Sequence, residues 1–231
     1  QPAITTGLRG LAYWQVEVTG PNRDLHSGLF GGAVANPINA LCRMITACTD
    51  KNNAVSIPGF YETVKEVSDE EKKLLNTRPF DKDAYKKALD VEKLFGEFGY
   101  TTIERTGIRP SFDVCGIWGG YNGEGAKTVL PSKAYAKLSS RLVPDQDHFK
   151  IAELLDWYLK SIAPKSVQVK VEYLHGGQAY VCPIDHPAYK AAEQALIDTM
   201  GVRPIPVRSG GSIPIISTFE KVLGIKSILM G

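Results

Sequence analysis

The chain of 231 residues lacks most of the features by which a sequence reveals its partners. No apolar run approaches the ~20 residues that a membrane-spanning helix needs. The near balance of 27 basic and 25 acidic residues, a net charge of +2, does not favour nucleic acid or an anionic membrane surface as a partner. We therefore expect no nucleic-acid or membrane binding, and a cytoplasmic location.

Cysteine and histidine are scarce, with four of each. The cysteines form no C-x-x-C pair and lie in apolar stretches, which predicts buried free thiols in a reducing compartment; they are Cys42, Cys48, Cys115 and Cys182. The histidines form no H-E-x-x-H motif and no i, i+4 pair, and no G-x-S-x-G elbow occurs. From its residues alone, the chain contains neither a complete metal site nor a catalytic triad.

Hydrophobic periodicity predicts an α+β fold. Two amphipathic helices, one beginning at Asn36-Pro37 and one covering 148–162 after Asp147, alternate with strands. The predicted strands cover 11–19, 112–118, 134–142 and 167–173. This order is that of a split β-α-β unit of ferredoxin-like type, a four-stranded antiparallel sheet with two helices on one face. An edge of such a sheet needs a partner, and a second copy is a natural one.

Two further regions flank this unit in the sequence. Residues 51–110 are charged and are interpreted as a helical insertion, with a capping box at Ser68–Glu71 and a helix over 83–98. After Gly177 helices and strands alternate, as in part of an α/β domain with a parallel sheet. We expect a first domain over 8–175 and a partial α/β segment over 178–231.

The C-terminal segment contains a helix over Pro187–Met200, a strand over 204–207, a second helix ending at Leu223, and a strand over 226–230. Because the first residue is Gln1 and the last strand stops as it reaches its loop, we expect a fragment of a longer protein.

Several partial sites stand out, each with an ordinary structural alternative. His26 lies in a glycine-containing loop and is either an exposed loop residue or a ligand-facing group. Ser209–Ser212 leads into a helix and offers free backbone N–H groups, or is a simple helix cap; Arg208 before it suits a carboxylate. Arg141 and Thr128 are either surface and strand-edge residues or substrate contacts.

Five short motifs occur in a fixed order. They are Gly7-Leu8-Arg9-Gly10, Asp24-Leu25-His26-Ser27-Gly28 with Gly31-Gly32, Gly125-Ala126-Lys127-Thr128-Val129-Leu130-Pro131, Arg141-Leu142-Val143-Pro144 and Gly210-Gly211-Ser212-Ile213-Pro214. The set resembles the carnosinase and cytosolic non-specific dipeptidase branch of metallopeptidase family 20. This resemblance covers essentially the whole chain.

The resemblance implies a lid or dimerisation domain followed by part of a catalytic α/β domain that holds two Zn²⁺ or Mn²⁺ ions in the full-length protein. It implies that His26 stabilises the oxyanion in the partner subunit's site. It also implies that Thr128 contacts the substrate and that Arg141 binds the terminal carboxylate of the substrate. Gly210, Gly211 and Ser212 would receive the substrate backbone. Ser209 departs from the acidic residue expected there, which concerns side-chain specificity.

By the same resemblance the full-length protein is a homodimeric dipeptidase in which metal-activated water attacks the peptide carbonyl. The metal ligands are expected outside this chain, which would bind no metal and be inactive alone. One alternative is an N-acyl amino acid deacylase on the same scaffold. Another is a stand-alone dimerisation or ligand-binding module, since ferredoxin-like units host many functions.

Overall fold

The structure is a computed structural model that describes residues 2–230. Its strands are β1 (Ala3–Leu8), β2 (Gly10–Thr19), β3 (Leu25–His26), β4 (Ser111–Gly119), β5 (Val129–Leu130), β6 (Lys133–Leu142), β7 (Gln168–Gly177), β8 (Tyr180–Val181), β9 (Ile205–Ser209) and β10 (Leu229–Met230). Its helices are α1 (Ser27–Phe30), α2 (Pro37–Thr46), α3 (Asp69–Leu75), α4 (Lys82–Leu89), α5 (Thr102–Gly107), α6 (His148–Ile162), α7 (Pro187–Met200) and α8 (Pro214–Leu223).

Four strands form a ferredoxin-like sheet in the order β4-β6-β2-β7, with every neighbouring pair antiparallel. Helices α2 and α6 pack on one face of this sheet, α2 over β6 and α6 over β2 and β7. The predicted split β-α-β fold, with two helices on one face, is therefore confirmed.

The core of this unit follows from the alternation along β2. Ala12, Trp14, Val16 and Val18 are all at most 1% exposed, whereas the residues between them line the opposite face. From the helices, the buried side chains include those of Leu41, Met44, Leu155 and Leu159. Burying each large apolar side chain contributes about 1.5–3 kcal/mol, so this layer supplies the main stabilisation of the unit.

A second, mixed sheet is built around β1. Strand β9 runs parallel to β1, while β8 and β10 pair with it antiparallel, so the sheet is not the parallel sheet that the sequence suggested. Strand β1 was not predicted, and the strand expected over 226–230 is limited to Leu229 and Met230. Helix α7 agrees with its predicted bounds. The division of the chain into domains stays a prediction.

The connections between the two sheets pass side by side. A Cβ atom at Gly10 would lie 2.7 Å from the carbonyl oxygen of Gly177 and 2.8 Å from the backbone nitrogen of Ala179. Side-chain contacts of this length with backbone atoms are too close, so this crossing requires glycine at position 10.

The second helix of the insertion is shorter than predicted. The helix expected over 83–98 ends at Leu89, because Asp90 adopts the left-handed conformation (φ 52°, ψ 48°) and stops it. The following loop is held instead by hydrogen bonds from the Arg105 guanidinium to the carbonyl oxygens of Glu97 (2.8 Å) and Phe95 (3.4 Å). The sequence prediction was wrong here and also omitted α5.

The four cysteines are free thiols, as expected, but only two are buried. Cys48 and Cys182 are buried, and burial raises the pKa of the Cys48 thiol to about 12. Cys42 and Cys115 are exposed, because Cys42 lies on the outer side of α2 and Cys115 at an irregularity of β4. Across residues 2–230, no helix combines the length and apolar character needed to cross a bilayer.

Candidate functional site

The loop that contains His26 is fastened to the segment before β6. Strands β3 and β5 pair antiparallel, and the backbone N–H of Ser27 donates to the carbonyl oxygen of Thr128 at 3.0 Å. The Asp24 carboxylate accepts hydrogen bonds from the backbone N–H (2.8 Å) and hydroxyl (2.9 Å) of Ser132. These hydrogen bonds lower the pKa of Asp24, so the carboxylate stays ionised and anchors the loop.

The imidazole of His26 has a defined orientation. The backbone N–H of Gly28 donates to Nδ1 at 3.1 Å, and Nε2 lies 3.0 Å from Oγ1 of Thr128. Since Nδ1 accepts a hydrogen bond, the proton of the neutral ring lies on Nε2, which donates to the Thr128 hydroxyl. A Cβ atom at residue 28 would lie 2.8 Å from Cε1 of His26, so glycine allows this ring position. The structure thus brings His26 and Thr128 together in an exposed cluster.

Arg141 lies in a second cluster with Ser212. Nη1 of Arg141 donates to the Ser212 hydroxyl at 2.8 Å, and that hydroxyl donates to the carbonyl oxygen of Gly10 at 3.1 Å. A guanidinium group carries five N–H donors. Among residues 2–230, Ser212 is the one side chain to which Arg141 is hydrogen-bonded, so donors remain for a planar anion such as a carboxylate.

Of the two glycines beside Ser212, Gly210 is confined by backbone. A Cβ atom at Gly210 would lie 2.7 Å from the carbonyl oxygen of Thr106, and the N–H of Gly211 donates to Oγ of Ser209 at 3.3 Å. Helix α8 begins directly after this segment without a side-chain cap. The segment 210–212 therefore presents backbone to the Arg141 cluster, with the positive end of a helix dipole behind it.

Arg208 does not join this cluster. Its Nη2 atom pairs with Oε1 of Glu71 at 2.5 Å, which ties β9 to α3 of the insertion. Arg208 does contact a carboxylate, as its charge suggested, but this carboxylate belongs to Glu71 of the chain.

The two clusters lie at opposite ends of the ferredoxin-like sheet. Arg141 is opposite Leu11 at the start of β2, whereas Lys133, beside the His26 loop, is opposite Thr19 at its end. The strand from Lys133 to Arg141 spans about 26 Å at ~3.3 Å per residue. Within one chain, His26 and Arg141 therefore cannot contact the same small molecule.

Comparisons with known proteins identify the family. The M20 peptidase dimerisation domain matches residues 6–167. The chain belongs to the M20 peptidase family.

Named relatives of this M20 chain are dipeptidases. The chain is 35% identical over 233 residues to the Cys-Gly metallodipeptidase DUG1 of Candida albicans, covering all of this chain and 48% of that protein. It is 30% identical over 233 residues to the human Beta-Ala-His dipeptidase, covering all of this chain and 46% of that protein. The solved structure of the di-peptidase Dug1p from Saccharomyces cerevisiae superposes with a TM-score of 0.84 at 31% identity, over all of this chain and 49% of that one. The chain thus spans about half the length of the curated relatives it matches.

The described residues of the M20 chain do not assemble a metal centre. Among residues 2–230, no three His, Cys, Asp or Glu side chains lie together in a group that could hold a metal ion. The described part of the chain therefore does not fit a pair of zinc or manganese ions.

Sequence reasoning missed Arg9, which stands between the M20 chain's two sheets beside the Arg141 cluster. Nε of Arg9 donates to the carbonyl oxygen of Gly210 at 3.3 Å, and Nη1 donates to those of Arg105 (3.3 Å) and Arg109 (3.2 Å). The position of Arg9 between β1 and β2 indicates its role, because a single residue that connects strands of two sheets must lie where the sheets meet. This indication could not be used because β1 had not been predicted.

Proposed function

We propose that this chain is the dimerisation domain and part of the catalytic domain of a metallodipeptidase. The support is the match to the M20 dimerisation domain together with dipeptidase relatives that align over the whole chain. The single observation that carries the proposal is the pairing of Arg141 with Ser212, since it joins the sheet of one unit to the loop of the other. A free dipeptide has a terminal carboxylate, which suits the remaining donors of that arginine.

The Arg141 cluster is proposed to bind the carboxyl end of the dipeptide. The guanidinium group would hold the terminal carboxylate, while the backbone at Gly210, Gly211 and Ser212 contacts the substrate backbone. Because Ser212 already orients Arg141, little side-chain entropy remains to be lost when the substrate binds. Gly211 supports a close approach of substrate to backbone, because a Cβ atom there would have only Oγ of Ser209, at 3.6 Å, within 4 Å.

His26 and Thr128 are proposed to act in the site of a second copy. The Nε2–H of His26 now donates to Thr128, and the same donor can turn to an oxyanion that forms at the scissile carbonyl. Removing a donor of this kind typically costs about 2.7–4 kcal/mol of transition-state stabilisation. The length of about 26 Å from Lys133 to Arg141 supports a target in a second copy and not the Arg141 cluster of the same chain.

Antiparallel pairing of two β4 strands about a two-fold axis provides the required geometry. Ser111 of β4 lies opposite Arg141, and Gly119 lies opposite Ala134 near the His26 loop. In a symmetric pair, Ser111 of one copy lies beside Gly119 of the other. The His26 end of each copy then lies alongside the Arg141 end of its partner.

Strand β4 suits this pairing better than β7, the other edge of the sheet. Val114, Ile117 and Trp118 on β4 are each more than 40% exposed, an apolar surface that favours burial against another copy. Strand β7 instead exposes Lys170 and Glu172, charges that oppose edge pairing. This asymmetry supports a homodimer through β4.

The metal ions of the proposed enzyme would be held by residues other than those described here. We therefore propose that the chain alone does not hydrolyse dipeptides. The test is a turnover assay of the purified 231-residue chain with added Zn²⁺ or Mn²⁺. Hydrolysis by this chain alone would contradict the proposed absence of a metal centre.

Subunit complementation in the full-length protein tests the dimeric site. His26→Ala and Arg141→Met variants should each be inactive, but a mixed dimer has one site with both native groups. An equimolar mixture that has exchanged subunits should recover about one quarter of the unmodified activity.

The outcomes separate the arrangements. If His26 and Arg141 acted within one chain, each site of the mixed dimer would carry a lesion and no activity would return. If the unmodified full-length protein cleaves N-acyl amino acids and not free dipeptides, the deacylase alternative replaces the dipeptidase.

A further inference from the structure

Arg9 is a partly buried cation whose hydrogen bonds all go to neutral groups. Its three acceptors are the backbone carbonyl oxygens of Gly210, Arg105 and Arg109, at 3.2–3.3 Å. In the described part of the chain, no carboxylate forms an ion pair with it. The positive charge of Arg9 is therefore not neutralised by a contacting anion.

A second cation lies next to it. Burial lowers the pKa of Arg9 to about 10, and the charge of Arg141 contributes to this decrease. Asp113 acts in the opposite direction, but its carboxylate accepts a hydrogen bond from the Ser111 hydroxyl at 3.0 Å. Two guanidinium groups held close together repel each other, and an anion bound at Arg141 would relieve that repulsion.

The position of Arg9 also links three parts of the fold. It stands between the last residue of β1 and the first residue of β2, and its donors reach the loop at Gly210 and both ends of the segment from Arg105 to Arg109. The Arg9 backbone N–H adds a bond to the carbonyl oxygen of Ser209 at 3.3 Å. The loop that contains Ser212 is thereby fixed to the end of the sheet that carries Arg141.

We propose that Arg9 is a positioning residue for a substrate carboxylate: it holds the Gly210–Ser212 loop against Arg141 and adds a second positive charge behind the carboxylate-binding arginine. The inference rests on the proposed function, because it assumes that Arg141 receives the carboxyl end of a dipeptide. It predicts selection of a free carboxylate over the neutral amide of the same peptide.

The test compares Arg9→Met, Arg9→Lys and the control Arg78→Met in the full-length protein; Arg78 is an exposed arginine of the insertion. The substrates are Cys-Gly and its C-terminal amide. Arg9→Met should raise KM for the free acid by about tenfold or more and KM for the amide by a clearly smaller factor, because the amide shares the contacts with the loop but lacks the charge. Arg9→Lys keeps the charge without the planar guanidinium group, so its KM for the free acid should lie between those of the unmodified protein and Arg9→Met. The control should match the unmodified protein.

A second measurement does not depend on turnover. Amide hydrogen exchange of the Gly210–Ser212 loop should be at least about tenfold faster in Arg9→Met than in Arg78→Met, because the loop loses its fixed donor. If the full-length protein cleaves neither Cys-Gly nor its amide, calorimetry of the binding of the two peptides gives the same comparison.

The results distinguish failure of the proposed dipeptidase function from failure of the proposed role of Arg9. Absence of all hydrolysis in the unmodified full-length protein would remove the proposed function, while exchange and binding still decide the role of Arg9. Equal losses for the acid and the amide, or unchanged exchange of the loop, would overturn the inference.

Discussion

The ion pair between Arg109 and Glu97 should be the costliest polar contact to break. Nε and Nη2 of Arg109 donate to the two carboxylate oxygens of Glu97 at 2.7 and 2.6 Å, and the two side chains are only 8% and 11% exposed. The guanidinium carbon also lies 4.3 Å from the centroid of the Tyr100 ring and 5.3 Å from that of Tyr61. Burial alone would lower the pKa of Arg109, but the hydrogen bonds and charge of Glu97 outweigh it and raise the pKa.

Glu97→Gln would leave this guanidinium group buried without its carboxylate. Removing one partner of a buried pair costs about 3–5 kcal/mol. We expect the lower end, about 3 kcal/mol, because Glu66 remains 3.2 Å from Nη1 of Arg109. The matched control is Glu62→Gln, which breaks an ion pair with Lys150 whose side chains are more than half exposed; about 0.5 kcal/mol or less is expected.

Urea unfolding of the 231-residue chain, followed by far-ultraviolet circular dichroism, gives both free energies. The double variant Arg109→Leu/Glu97→Leu should lose less than Glu97→Gln alone, because no unpaired charge is buried. If Glu97→Gln were no more destabilising than Glu62→Gln, the reasoning that burial makes this ion pair costly to break would be refuted.

Three further predictions concern packing and pH. Leu155→Ala, at a fully buried position of α6, should reduce the free energy of unfolding by about 2–5 kcal/mol in the same urea experiment. Gly10→Ala should lower the free energy of unfolding by about 1–3 kcal/mol, because the added methyl group meets the carbonyl oxygen of Gly177. An unchanged urea midpoint would contradict the close approach of the backbone at Gly10 and Gly177. Burial lowers the pKa of His148, whose Nδ1 lies 2.6 Å from the Tyr173 hydroxyl. A depressed folded-state pKa stabilises the protein above pH ~6.5, and this contribution is lost as the pH falls through the folded-state value; His148→Gln should flatten that part of the stability profile.

Elements with local signals were predictable from the sequence. Helix α6 has the predicted bounds because Asp147 caps it, accepting from the backbone N–H groups of residues 149 and 150, and because its apolar stripe meets the sheet. The same reasoning placed Asn36 as the cap of α2 and Pro37 at its first turn. These signals lie within a few residues of the structure that they specify.

Elements that depend on distant contacts were not predictable. Strand β1 pairs with β9, which is about 200 residues away, and its short pattern does not distinguish a strand from a loop. The loop that replaces the second half of the predicted helix is likewise held by Arg105, from farther along the chain. Local periodicity contains no information about such partners.

The candidate site divides in the same way. Residue type and family resemblance selected His26, Thr128, Arg141 and Ser212, but not which of them meet. The separation of the two clusters could have been inferred, because β2 and β6 are antiparallel and His26 follows the end of one while Arg141 ends the other. The contact of Arg141 with Ser212 could not, since it joins two sheets whose packing no local pattern specifies.

The separation of the clusters constrains the proposed interface between two copies. For His26 to reach a group in the partner's site, the two β4 strands of a symmetric pair must be aligned to within a hydrogen-bond distance, about 3 Å. A register slip of two residues would shift one copy by about 7 Å along the other. Register therefore has to be specified by features of the strand itself. The irregularity between Val114 and Gly116 lies at the middle of β4, where the two-fold axis of such a pair would pass, and the stacked rings of Trp118 and Tyr135, 5.2 Å apart, stiffen its far end. In the proposed dimer both β4 strands would bend at this bulge, so we expect one register to be favoured, and that register would determine where His26 reaches.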